Sequence, residues 1–311
     1  MDNKNFKLAL FASLSVLSLS ACTEFDPGSS ILDTRVLGAR VEVAGEPERA
    51  TPEPGERINL TWVMASPGKA PVLRWAFVVC VGDPNAPGET CRVPLTTGEG
   101  TGLTPTLQVD VPAAGALGTA DALFVLGVIC DGGTPGLSGS ATPVCEGKDS
   151  SGTSVKLELS IARDGQQNEN PRVDEVRIRI DGKGLADQAS DVAEGQCAND
   201  DSLLQLRADG KEHDLTLELG GKVRERYRDA EGRSNALEAL QISHFVTLGE
   251  LERQYSFIES GDPDENPKVT LTWTAPKAKD VKTGELVRFL TVLRDMRGGL
   301  AVIEQAACVI R

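Results

Sequence analysis

Apolar residues recur at every second position along much of this chain, and that period restricts it to strands with one buried face. Ile58, Leu60, Trp62 and Met64 keep the alternation, as do Val155, Leu157, Leu159 and Ile161, and Leu107 to Val111 (LQVDV) follows the same rule. Val36 to Val43 (VLGARVEV) reads as another strand. Val72 to Cys80 (VLRWAFVVC) and Phe124 to Cys130 (FVLGVIC) are nearly continuous in apolar residues, the pattern of central strands covered on both sides. Six strands, separated by turn-rich stretches such as Ala44 to Glu56 (AGEPERATPEPGE), predict a β-sandwich. This half holds no amphipathic segment of helical period.

Arg163 to Pro171 (RDGQQNENP) has no apolar residue and ends in Asn-Pro, so it is expected as a linker. Strand candidates resume at Glu175 to Ile180, Asp214 to Leu219, Gln241 to Thr247, Tyr255 to Ile258, Val269 to Thr274 and Leu286 to Leu293. Val223 to Leu240 is charge-rich and suits a short helix or an extended loop, while Leu286 to Ile310 reads as a terminal β-hairpin. The expectation is an all-β chain with two Ig-like β-sandwich domains in tandem, at 33–162 and 172–311 with 163–171 between them.

The first residues are of a different kind. Lys4 and Lys7 with the amino terminus outweigh Asp2, and Leu8 to Leu19 (LALFASLSVLSL) is apolar but too short for the roughly 20 residues of a membrane-spanning helix. This reads as a signal peptide over 1–21. Leu19-Ser20-Ala21-Cys22 resembles the bacterial lipobox, in which the cysteine thiol receives diacylglycerol. The resemblance implies cleavage before Cys22, acyl chains including palmitate on Cys22, and a lipidated tether over 22–32. Two or more acyl chains suffice for stable anchoring. Thr23 stands where an aspartate often signals inner-membrane retention, so the resemblance implies the outer membrane.

Loss of the 21-residue leader, with one acid and two bases, takes the formal charge from −14 to −15 on 290 residues. An acidic surface argues against nucleic acid and anionic lipid as partners. Besides Cys22 there are six cysteines, Cys80, Cys91, Cys130, Cys145, Cys197 and Cys308, an even set that suggests disulfides in an oxidising compartment. Six cysteines allow 15 connectivities; the spacing favours closing Cys80 with Cys91 and Cys130 with Cys145, leaving Cys197 for Cys308. Without a CxxC pair, and with His213 and His244 as the only histidines, zinc is unsupported.

The search for chemistry returns little. Gly136-Leu137-Ser138-Gly139 lacks the spacing of a nucleophile elbow, His213 lies in a polar turn, and His244 beside Phe245 reads as a half-buried structural residue. Gly98 to Gly102 (GEGTG) is followed by Thr104-Pro105 and not by a helix, so it reads as a turn and not a phosphate loop. Asp262, Asp264 and Glu265 gather hard oxygen ligands that could suit Ca²⁺, as do Asn199, Asp200 and Asp201, but neither set has the EF-hand spacing. Sugar-binding sandwiches expose aromatic platforms, whereas Trp62, Trp75 and Trp273 all fall on inward faces here. No cofactor and no enzymatic reaction is expected.

Trp75 on a central strand resembles the core tryptophan of Ig-like domains, without cysteines at the matching positions. Arg294-Asp295 ahead of Gly298-Gly299 resembles a turn near the end of Ig-like or PKD-like modules, with Thr272-Trp273-Thr274-Ala275-Pro276 upstream. Together with the lipobox and Arg35-Val36-Leu37 ahead of the turn at Pro54, the chain resembles uncharacterised lipoproteins of myxobacteria. That resemblance implies fold and location only. The lack of a catalytic constellation leads to the expectation of a non-enzymatic interaction or structural module of the cell envelope, held by acyl chains on Cys22 and contacting another envelope protein. The alternative expectation is a surface lipoprotein that binds glycan or calcium.

Overall fold

The computed structural model describes residues 28–83, 86–137, 143–162, 167–187, 195–228, 235–282 and 284–311, with the side chains of 82–93, 137 and 149 left aside. The expected signal peptide, Cys22 and the Cys91 side chain therefore lie outside the described residues, as do positions 163–166 of the expected linker. The chain is all-β. In its first half the strands are β1 (Arg35–Val43), β2 (Arg57–Ala65), β3 (Leu73–Asp83), β4 (Ala86–Gly102), β5 (Thr106–Asp110), β6 (Ala122–Leu137) and β7 (Pro143–Ser160). A three-stranded sheet in the order β1-β2-β5 faces a four-stranded sheet in the order β4-β3-β6-β7.

Alternation explains this packing. Ile58, Leu60 and Trp62 of β2 point at Leu73, Trp75, Phe77 and Val79 of β3, and all are buried in one apolar core. Trp62 stacks on Phe77 with ring centroids 3.9 Å apart and planes 7° from parallel, which ties the two sheets face to face. Full burial of each large side chain contributes about 1.5–3 kcal/mol.

One segment departs from its expected form. Gly98 to Gly102 is not a turn but the end of β4, paired with Leu73 to Phe77 of β3. The glycines there make room instead of bending the chain. A Cβ on Gly100 would lie 2.3 Å from the indole of Trp75, its cross-strand partner, and one on Gly98 2.2 Å from Leu107. Bare backbone at these positions lets two core side chains lie across the strand.

The second half contributes β8 (Arg177–Ile180), β9 (Lys183–Gly184), β10 (Ala186–Asp187), β11 (Leu204–Arg207), β12 (Glu212–Glu218), β13 (Arg226–Tyr227) and β14 (Ala236–Leu237). It continues with β15 (Leu240–Val246), β16 (Glu250–Leu251), β17 (Tyr255–Ile258), β18 (Lys268–Thr274), β19 (Glu285–Arg294) and β20 (Leu300–Ile310). A five-stranded sheet in the order β16-β18-β12-β8-β9 covers a sheet in the order β10-β20-β19-β15-β17, with β11 parallel to β20. Trp273 and Phe289 meet edge to face at 5.4 Å in the shared core. The stretch from Val223 to Leu240 forms the extended β13–β14 ribbon where it is described.

Disulfides join Cys130 to Cys145 and Cys197 to Cys308, and Cys80 is disulfide-bonded as well. The β6–β7 hairpin changes register between Cys130 and Thr134, where Gly133 takes a φ of +85°. That kink brings Cys145 over Gly152, whose missing side chain leaves space for the sulfur; a Cβ there would be 2.3 Å from Cys145 Sγ. Cys197–Cys308 spans 111 residues and pins a short 3₁₀ turn at Cys197–Asn199 to β20.

Two outcomes are expected from denaturant unfolding. Gly100→Val should cost about 1–3 kcal/mol by overpacking against Trp75. Cys197→Ala with Cys308→Ala should lower stability by about 4–5 kcal/mol, the loop-closure value for a ring of this size.

Candidate functional site

The described part of the segment between the two halves, residues 167–171, packs against both of them. Asn168 and Asn170, in the segment expected to be a linker, are buried, and their amides stitch the halves together. Asn170 Nδ2 donates to the Val41 carbonyl at 2.7 Å, while its Oδ1 accepts the amide of Leu300 at 2.9 Å. One side chain thus bonds to β1 and to β20. Asn168 Nδ2 donates to Asp295 at 2.8 Å, and its backbone oxygen accepts the amide of Ala50. Around these amides Ile31, Leu37, Ala65, Phe245, Leu290, Val292 and Leu300 form an apolar cluster drawn from both halves.

Asp295 opens the β19–β20 turn and is itself buried. Its Oδ1 accepts the amides of Arg297 and Gly299, both at 2.8 Å, which fixes the turn that the sequence marked as Arg294 to Gly299. Met296 sits in that turn with a φ of +62° and 65% exposure, an unusual backbone for a residue with a side chain. Arg297 stacks on Tyr227 at 4.5 Å and donates to Glu238 at 2.7 Å.

Glu238 is 1% exposed, and burial together with the Asp295 carboxylate pushes its carboxyl up to about 8, against the pull of Arg297. Glu225 faces the same group, its amide donating to Glu238.

Beside this network runs a groove of about 640 Å³. Its walls are β1, residues 153–160 of β7 and the Met296–Gly299 turn, with Trp62 and Leu157 among its apolar lining and Lys156 and Glu158 among its polar lining. Both β1 and β7 are terminal strands of their sheets. The edge of β1 is capped by side chains: Arg294 donates to the Leu37 carbonyl and Asn170 to that of Val41. Such capping discourages strand addition, whereas β7 presents an edge to the groove.

The sequence-selected residues come out as follows. Asp262 Oδ1 accepts the amide of Asp264, Asp264 Oδ1 that of Asn266, and Glu265 pairs with Arg226. The guanidinium of Arg224 occupies the middle of this loop, donating to the carbonyls of Glu238, Glu259, Asp262 and Asp264. A protein cation thus occupies the backbone carbonyls of this loop, while the carboxylates of Asp262 and Asp264 accept backbone amides. Among the described residues no three His, Cys, Asp or Glu side chains gather into a metal-binding group. Asp200 Oδ1 likewise accepts from Ser202, within a turn of its own.

His213 belongs to β12 and not to a solvated turn, and its Nδ1 lies 2.8 Å from Asp181. That hydrogen bond holds the Asp181 carboxyl below the usual range. His244 is fully buried, with Nε2 3.0 Å from Ser256 Oγ and Nδ1 without a partner. Burial lowers it to about 4, with Arg253 adding to the effect. A serine and a histidine in contact suggest nucleophilic catalysis, but both are buried and the ring nitrogen that needs an orienting carboxylate has none. The pair is part of the core.

Sequence reasoning did not find the seam. Asn168 and Asn170 are polar residues in a polar stretch, and only the turn chemistry at Asp295 carried a signal. No family model matches the chain, and no curated protein matches it.

Two pH dependences follow from burial. Glu238 keeps its proton to higher pH in the folded chain, so its contribution to stability is full below about 4.5 and is lost as pH rises through about 8. In Glu238→Gln the fall in unfolding free energy between those values should flatten. His244 works in the opposite direction: its contribution is present above 6.5 and is lost as pH falls through about 4. Urea titrations of His244→Gln and the unmodified chain across that interval should show a shallower acid slope in the variant.

Proposed function

We propose that this chain is a membrane-anchored lipoprotein acting as a non-enzymatic interaction or structural module of the cell envelope. The observation that carries the reading is Leu19-Ser20-Ala21-Cys22, in register behind a short apolar segment and a basic leader. Disulfides at Cys80, Cys130–Cys145 and Cys197–Cys308 support folding in an oxidising compartment such as the periplasm. An outer-membrane location rests on Thr23 after the cysteine.

The seam groove supports the interaction part of the reading. An extended segment of a partner could add to the edge of β7 while its alternate side chains enter the apolar floor beside Trp62 and Leu157. Arg297 at its rim is already committed to Glu238 and Tyr227.

Metabolic labelling with a fatty acid tests the anchor. The full chain should take up label and fractionate with membranes, and Cys22→Ala should lose both. An unlabelled full chain, or a Cys22→Ala chain that keeps its label, would remove the lipoprotein reading.

A further inference from the structure

We propose that the outer face of β17, carrying Tyr255 and Phe257, rests on the surface of the membrane that holds the protein. This placement depends on the anchoring proposed above. Its geometry comes from where the chain enters the fold. Gly28 lies against Gln254, close enough that a Cβ on it would meet Gln254 Oε1 at 2.5 Å. Arg35 fixes that entry by donating to the carbonyls of Gly28 and Ser30, both at 3.0 Å, and Ile31 bonds to the Val246 carbonyl at 2.8 Å. Between Cys22 and Gly28 stand only residues 23–27, so the acylated cysteine lies at most about 20 Å from Gly28 at full extension.

Gln254 immediately precedes β17. On that edge strand Tyr255 is 46% exposed and Phe257 62%, two aromatic rings on one face, and Leu32 in the entering segment is half exposed too. The rows across the sheet from these rings are Tyr255–Ser243–Val292 and Phe257–Gln241–Arg294. Neither row holds a carboxylate, although the chain carries 46 acidic residues. Ser243 and Val292 are buried, so the exposed part of this face is the pair of rings at the sheet edge, with the exposed Glu252 and Glu259 flanking the strand; together with Leu32 the rings make the apolar patch beside the tether that can approach lipid. Aromatic side chains favour the headgroup region, where an apolar ring is buried and a hydroxyl stays wet. The overall negative charge favours a zwitterionic phospholipid surface over an anionic one.

The test uses the acylated full chain in phosphatidylcholine vesicles whose acyl chains are brominated, a quencher of tryptophan emission. Native Trp62, Trp75 and Trp273 are buried and provide a constant background. Phe257→Trp, with Tyr255→Trp as a second reporter, should be quenched several-fold more strongly than Val144→Trp on the exposed part of β7. Equal quenching at the two sites, with fatty-acid label still on Cys22, would overturn the resting face and leave the anchor standing. Loss of label would remove both, which separates the two failures. Emission that shifts with soluble peptidoglycan fragments but ignores brominated lipid would assign the rings to glycan and overturn the membrane contact.

Discussion

The structure depends on burying both faces of one β-hairpin. Strands β19 and β20 turn Val287, Phe289, Leu293, Ile303 and Val309 toward the second-half core and Leu290, Val292 and Leu300 toward the first half. An antiparallel sheet usually leaves one face to water. Here the second face is covered by β1 and the segment entering at Ile31, so the two sandwiches share an interior. Cys308 lies in the same strand, adding a covalent tie from the 3₁₀ turn at Cys197 to the most buried part of the chain.

Polar groups sealed in that interface need partners, and they find them in a specific order. Asn170 spans β1 and β20, Asn168 holds Asp295, Asp295 holds its own turn, and Arg297 leaves that turn for Glu238. Removing one member leaves another buried and unsatisfied, which costs more than the bond itself is worth. Burial, with the Asp295 carboxylate adding to it, makes Glu238 resist ionisation, so the seam carries less charge than its composition suggests.

Strand content was legible because alternation survives in the linear text. Ile58-Leu60-Trp62 and Val269-Leu271-Trp273 declare an inward face without reference to the rest of the molecule, and the terminal hairpin was visible from its Gly-Gly turn. β4 was not legible, since Gly98 and Gly100 face the core with no side chain; the apolar residue that fills the space, Trp75, belongs to a neighbour. The seam was hidden for a related reason. Asn170 reads as solvent-loving until its two partners, 129 and 130 residues away, are placed beside it. Disulfide pairing at Cys130–Cys145 and Cys197–Cys308 agreed with the spacing, because a kinked hairpin closes the first and a shared sheet corner the second. At the acidic loop of Asp262 the sequence did not reveal that Arg224 binds the backbone carbonyls of Asp262 and Asp264.

The capped edge of β1 gives the molecule a polarity. A strand arriving there would have to displace Arg294 from Leu37 and Asn170 from Val41, and those same groups close the seam. Sheet growth in that direction would therefore be coupled to opening of the protein.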